Sequence, residues 1–464
     1  MSFPRYPKYK ASGVEWLGEV PEHWEVCALN YRYEVALGKM LDEKRITGKH
    51  LAPYLRNTDV QWNHINVEDL PQMDFANGDL ERYSLKRGDL LVCEGGEVGR
   101  AAIWDAPMAE CYYQKALHRI RARDSNRDSA RFLSSIFAAV ASLRVFSESG
   151  GKSTIAHLPA ETLRRYRFPF PPPIEQTTIA DFLDRETAKI DELVAEQQRL
   201  MELLKGKRQA VISQAVTRGL NPHAPMKPSG IEWLGDAPAH WSRTRIKRIA
   251  RSGNKTFVDG DWIEAPYITT EGVRLLQCGN VGTGVFEEQG FRYVSEETFG
   301  SFDCTEVEPN NVLICRLQSS RTILAGRACL APQLGVKMIT SVDNCILKPA
   351  SDFDPRYIVY QLSTSAYLSF IEVVARGGTR DRISRSMLGE IQLLAPPVSE
   401  QGAIADFLEF ETAKFDTLIA EAQRAIDLLQ ERRTTLISAA VTGQIDVRDS
   451  VASAPARRVS SASE

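Results

Sequence analysis

Gly150-Gly151-Lys152-Ser153-Thr154 has the residue types of a phosphate-gripping loop: small glycines ahead of a lysine and two hydroxyls. A nucleotide-binding loop of that kind also needs a glycine five residues before its Gly-Lys-Ser step, and Phe146 stands there. Gly279-Asn280-Val281-Gly282-Thr283-Gly284 has its glycines in the wrong order for a dinucleotide fingerprint and reads as a loop between strands. Seven scattered histidines offer no pair at helical spacing for a metal, and eight cysteines show no Cys-x-x-Cys. There is no nucleophile elbow and no Asn-Pro-Pro-Tyr or Asp-Pro-Pro-Tyr methyltransferase signature. These absences predict a chain that is not an enzyme by itself and holds no metal.

Basic clusters are the remaining chemistry. Lys115, His118, Arg119, Arg121, Arg123 and Arg127 lie close together in the first half of the chain. In the second half are Arg243, Arg245, Lys247, Arg248, Arg251 and Lys255, then Arg376, Arg380, Arg382 and Arg385. Phosphate contacts need Lys, Arg and hydroxyls, and base edges want Arg, Gln or Asn on protruding loops. A formal net charge of −3 over 464 residues means that any such surface is local. With 43% hydrophobic and 25% charged residues the chain is an ordinary globular one, long enough for two or three domains. The start MSFPRYPKYK has no apolar signal region and no apolar run reaches membrane length, which predicts a cytoplasmic chain with reduced cysteines.

What must position these residues is a repeat. Gln176–Thr217 returns as Gln401–Thr442 at an offset of 225 without a gap, with 24 of 42 positions identical. Ile179, Leu183, Ile190, Leu193, Leu200, Leu204 and Val211 fall on steps of three and four, as do Ile404, Leu408, Phe415, Leu418, Ala425, Leu429 and Leu436. That 3.5-residue seam predicts two long helices paired as a coiled coil. Forty-two residues at about 1.5 Å each make a rod of roughly 63 Å.

The repeat extends upstream. Gly13-Val14-Glu15-Trp16-Leu17-Gly18 and Pro21-Glu22-His23-Trp24 return as Gly230-Ile231-Glu232-Trp233-Leu234-Gly235 and Pro238-Ala239-His240-Trp241, with the tryptophans read as structural anchors. The two bodies that follow mix helix and strand. They share Asp89–Cys93 with Asn311–Cys315, Gly99-Arg100-Ala101 with Gly326-Arg327-Ala328, Pro53-Tyr54 with Pro266-Tyr267, and Gly150-Gly151 with Gly377-Gly378, but otherwise diverge. A duplicated frame with different contents is what two different reading heads would look like.

In this doubled arrangement the chain resembles the DNA-specificity (S) subunits of type I restriction–modification systems, the HsdS family. Ser12–Trp24 and its copy carry the resemblance, with Pro173–Ile179, Pro397–Ile404 and the closing Ala215-Val216-Thr217 and Ala440-Val441-Thr442. It implies an α+β fold: two tandem target-recognition domains separated by two long helices in an antiparallel coiled coil, with an internal pseudo-two-fold repeat. The expected boundaries are residues 1–172 and 229–397 for the domains, 173–219 and 398–445 for the spacer helices, 220–228 for a linker and 446–464 for a disordered tail. The resemblance further implies a non-catalytic subunit that reads a bipartite, asymmetric sequence in double-stranded DNA. Its partners would be two adenine methyltransferase (M) subunits and the restriction/translocase (R) subunits, with S-adenosylmethionine, ATP and Mg bound by those partners and none by this chain. The alternative is an orphan coiled-coil scaffold that reads no DNA. Base contacts do not carry over between such heads. Loop position and residue chemistry make the DNA-binding candidates Lys39, Lys49, Gly95, Gly96, Lys152 and Ser153 in the first head. In the second they are Lys255, Gln318, Ser319, Arg321, Thr379 and Arg380.

Overall fold

The computed structural model describes residues 3–40, 47–76, 78–148, 157–318, 325–375 and 382–450. It separates into two compact units, Met1–Gln198 with Arg424–Glu464, and Arg199–Gln423. The division runs through both long helices, Pro173–Arg218 and Val398–Val441, so each unit owns half of each. Each compact unit thus contains one head together with a segment of each long helix.

The two larger sheets of the first unit are built from β1 (Tyr33–Leu37), β2 (Leu51–Leu55), β3 (Gln72–Asp74), β4 (Leu90–Cys93), β5 (Ala101–Ile103), β6 (Tyr112–Tyr113) and β7 (Leu117–Ala122). They form a four-stranded sheet β5-β4-β7-β1 and a three-stranded sheet β6-β2-β3. The second unit has β8 (Phe257–Asp259), β9 (Val273–Leu276), β10 (Tyr293–Val294), β11 (Val312–Cys315), β12 (Ala328–Leu330), β13 (Met338–Thr340) and β14 (Asn344–Leu347). These form β12-β11-β14-β8 and β10-β9-β13. The topology repeats strand for strand, down to one parallel pair in each small sheet, β6 with β2 and β13 with β9. The runs LLVC and VLIC are buried at every position, which is why they become inner strands.

Two shared motifs now separate. Gly-Arg-Ala is structural in both units. Gly99 and Gly326 sit at φ +86° and +81°, and a Cβ there would meet Phe146 at 2.7 Å or Ile371 at 2.9 Å. Arg100 and Arg327 donate to the carbonyls of Asn57 (3.0 Å) and Cys278 (2.8 Å), and the alanines are buried in β5 and β12. Pro-Tyr is a coincidence: Pro53-Tyr54 lies within β2, whereas Pro266-Tyr267 lies in a 3₁₀ turn ahead of β9. The paired glycines at 150–151 and 377–378 lie outside the described residues.

Each head is fastened to its long helix by the Glu-Gln step that opens it. Gln176 donates to the carbonyls of Arg127 and Pro171 and accepts from Ser129 N; Gln401 does the same with Asp352, Pro396 and Asp354 N. Glu175 accepts from Tyr6 Oη (2.7 Å) and Trp24 Nε1 (3.0 Å) and lies 2.8 Å from His23 Nε2. Among the described residues its counterpart Glu400 keeps the histidine alone, His240 at 2.8 Å. Arg131 bonds Asp181 and Asp184, and Arg356, 225 residues on, bonds Asp406 and Glu409. The anchoring reading of Trp24 fits its full burial against Phe132.

Within each unit the two helical segments run antiparallel. In the first, Leu183 and Thr187 line a cavity with Ile437 and Thr434, and one turn on Asp191 bonds Arg433 at 3.0 Å. In the second, Arg208 bonds Asp416 at 2.9 Å, and Ile212 and Val216 pack with Leu408 and Ile404. The two ion pairs are one pair repeated: Asp191 and Arg208 plus 225 are Asp416 and Arg433.

The seam itself differs from the spacing. Ile179, Leu183, Ile190, Leu204, Ile404 and Leu408 are buried, and Val211, Phe415, Ala425, Leu429 and Leu436 are half-buried. Leu193, Leu200 and Leu418 are exposed; their neighbours Val194, Met201 and Ile419 turn inward instead. Adjacent apolar residues sit about 100° apart on a helix, so a pattern with two apolar residues in a row admits either phase. Among the described residues no single helix is long and apolar enough to cross a membrane.

Candidate nucleic-acid interface

At one end of each four-stranded sheet three connections converge. β1 runs into Gly38, after which Lys39 bridges Gln114 in the loop before β7; β8 runs into Gly260, after which Asp261 bridges Ser341 before β14. A Cβ on Gly38 would sit 2.2 Å from Gln114 O, and one on Gly260 2.3 Å from Ser341 O. Only glycine allows the two backbones to meet so closely, and it does so in both heads. β4 runs on to Gly95, which bridges His157, while Leu158 N donates to Glu94 O at 2.8 Å. β11 runs on to Leu317, which bridges Arg382, while Ile383 N donates to Arg316 O at 3.0 Å.

Six sequence candidates have described positions. Gly95 and Gly96 lie at this edge; Gly95 O accepts from Asn57 Nδ2 at 2.9 Å, and Gly96 is at φ +73°. Lys39 is there too, but its ammonium bonds Asp79 (2.7 Å) and Asp74 O and lies over the Phe75 ring. Lys49 is exposed on a loop that closes around the Asp74 carboxylate. The amides of His50, Thr47 and Gly48 hold that carboxyl down at about 2. Gln318 follows β11, and its side-chain oxygen is buried with no partner among the described residues. Lys255 precedes β8 and makes an exposed ion pair with Asp303 at 2.8 Å. Lys152, Ser153, Ser319, Arg321, Thr379 and Arg380 lie outside the described residues.

The basic clusters are ion-paired, but only Arg119 and Arg121 turn inward; Arg127, Arg245, Lys247, Arg251 and Arg382 stay exposed beside their partners. Arg119 bonds Glu34, Arg121 bonds Asp89 and Arg127 bonds Glu25, at 2.6–2.9 Å. Arg245 and Lys247 share Glu390, Arg251 bonds Glu308, and Arg382 bonds Asp343. His118 is fully buried with Nε2 2.8 Å from Leu158 O, and that burial pushes its pKa down to about 4. A β-strand alternates its faces, so Arg119 and Arg121 share one side of β7 and meet carboxylates on β1 and ahead of β4. These residues brace the sheets. The two close-contact glycines, with Met40, Asp261 and Trp262, were missed; the signal available was Gly-x-hydrophobic at the end of a strand in each body.

The chain's likenesses agree with this doubled design. Residues 21–202 match the family described as type I restriction modification DNA specificity domain. The putative type I restriction enzyme MjaX specificity subunit of Methanocaldococcus jannaschii is 23% identical over 453 residues, 93% of this chain and 96% of that one. The type I restriction enzyme EcoBI specificity subunit of Escherichia coli is 21% identical over 79% of this chain and 75% of its own length. A chain from a solved structure titled for complex assembly and conformational transition of the type I R-M system superimposes with a TM-score of 0.69, at 13% identity, over 91% of this chain and 98% of that one. The HsdS subunit from Thermoanaerobacter tengcongensis gives a TM-score of 0.50 at 15% identity with the same coverage. Residues 21–202 thus match a type I restriction modification DNA specificity domain, and along most of its length the chain is similar to the specificity subunits of type I restriction enzymes.

Proposed function

We propose that the two sheet edges are reading heads, each addressing one half of a bipartite, asymmetric sequence in double-stranded DNA. One observation carries this reading: a single edge frame, built on Gly38 and on Gly260, recurs with different residues around it. The first rim carries Lys49, Gly95 and Gly96; the second carries Gln318, Asp261 and Arg382. Of the described candidates, Lys49, Gly95, Gly96 and Gln318 are assigned to DNA, and Lys39 and Lys255 to bracing the heads. Lys152, Ser153, Ser319, Arg321, Thr379 and Arg380 keep their assignment from chemistry and position. The subunit does no chemistry itself: it joins two adenine methyltransferase subunits and the restriction/translocase subunits, where S-adenosylmethionine, ATP and Mg are bound. Phosphate contacts shared among such partners suit a chain whose own basic residues are largely paired.

The test is selection from a pool of random duplexes by the full chain co-purified with a type I methyltransferase subunit that it binds. The expected pool has two blocks of fixed bases around a gap of constant length. An unenriched pool from an intact complex sinks the DNA reading and leaves the scaffold alternative.

A further inference from the structure

Immediately after the close-contact glycine, each head presents a large exposed apolar side chain: Met40, 62% exposed, and Trp262, 69% exposed. Single exposed apolar residues are common on protein surfaces and ordinarily call for no explanation. These two differ because they occupy one structural position. Gly38-Lys39-Met40 and Gly260-Asp261-Trp262 follow β1 and β8, and Lys39 and Asp261 make the same parallel bridge to the loop before β7 or β14. That bridge, and the glycine that has no room for a Cβ, fix the backbone one residue before the apolar side chain. The side chain is thus held out from a rigid base at the edge where Gly95 and Gln318 also lie. Among the described residues Trp262 makes no ring or cation contact within its own head, while nearby Tyr267 is engaged with Phe302 at 4.8 Å.

We infer that Met40 and Trp262 are apolar wedges that press on base faces, one in each half of the DNA target, and so set specificity at a step that hydrogen-bonding side chains do not read. The inference rests on the DNA-reading proposal above. Apolar side chains inserted at a base step unstack it, and their cost depends on the step being opened, so flexible pyrimidine–purine steps are favoured. An indole stacks on any base and a thioether fills the same gap with less area, so Trp262 is the stronger wedge.

The experiment uses the full chain with its methyltransferase and the duplex it selects, with 2-aminopurine placed in turn at each adenine of both halves. With the wild-type complex one position in the second half brightens at least twofold on binding. Trp262→Ala abolishes that brightening and weakens binding about tenfold or more. It also relaxes base preference in that half alone, and Trp262→Phe restores most of the signal. Met40→Ala does the same, more weakly, in the first half. If Trp262→Ala binds the selected duplex with unchanged affinity, unchanged base preference and no change in fluorescence, the wedge is refuted while DNA reading stands. A wild-type complex that selects no duplex refutes DNA reading itself, and the wedge with it.

Discussion

Three groups close on the carboxylate of Glu175, and the residue is almost fully buried. Removing a buried charged acceptor leaves its donors unsatisfied, so Glu175→Ala is expected to cost about 3 kcal/mol, seen as a lower melting temperature. The same change at Glu400, more exposed and with one partner, is expected to cost less. Equal losses at the two sites would show that the anchor does not depend on Tyr6 and Trp24. His118 is expected to contribute to the acid sensitivity of the first unit. Its folded pKa, about 4, lies below the ordinary value near 6.5. Stability is therefore complete above that value and is lost as the pH falls towards 4, because only the unfolded chain takes up the proton there. The full effect is on the order of 3 kcal/mol. Urea titrations between pH 7 and 4 should show that slope in the wild type and a flatter one in His118→Phe; parallel slopes would contradict the assignment.

At the scale of elements, the helices were legible because a gapless repeat with an apolar period leaves little else to be. Their facing residues were not fully legible, because Leu193-Val194, Leu200-Met201 and Leu418-Ile419 each offer two apolar neighbours and spacing alone does not choose between them. The structure chooses, and the choice is checkable. Leu193→Lys, Leu200→Lys and Leu418→Lys are each expected to change stability by less than about 0.5 kcal/mol. Ile190→Lys, by burying an unpaired charge, is expected to cost several kcal/mol. Circular dichroism melts that rank Leu193→Lys with Ile190→Lys would restore the phase that spacing alone suggested. The basic clusters were the harder case, since sequence reports charge but not the carboxylate facing it: Asp89 and Glu34 are distant in sequence from Arg121 and Arg119. The Gly38 and Gly260 contacts were equally hidden, because what excludes a Cβ there is backbone more than 70 residues away. Gly260→Ala is expected to destabilise the second unit by about 1–3 kcal/mol through overpacking. A melting temperature within error of the wild type would remove the rigid-edge argument.

For the whole molecule, the proposal makes one chain responsible for two half-sites and for the gap that separates them. The measurement that tests this most directly is long-read mapping of methylated bases in a host expressing the chain with a type I methyltransferase subunit that it binds. The account predicts one asymmetric motif in two blocks, methylated adenine in both, and a gap of fixed length. A single uninterrupted motif, or no methylation from an intact and S-adenosylmethionine-binding complex, would contradict it.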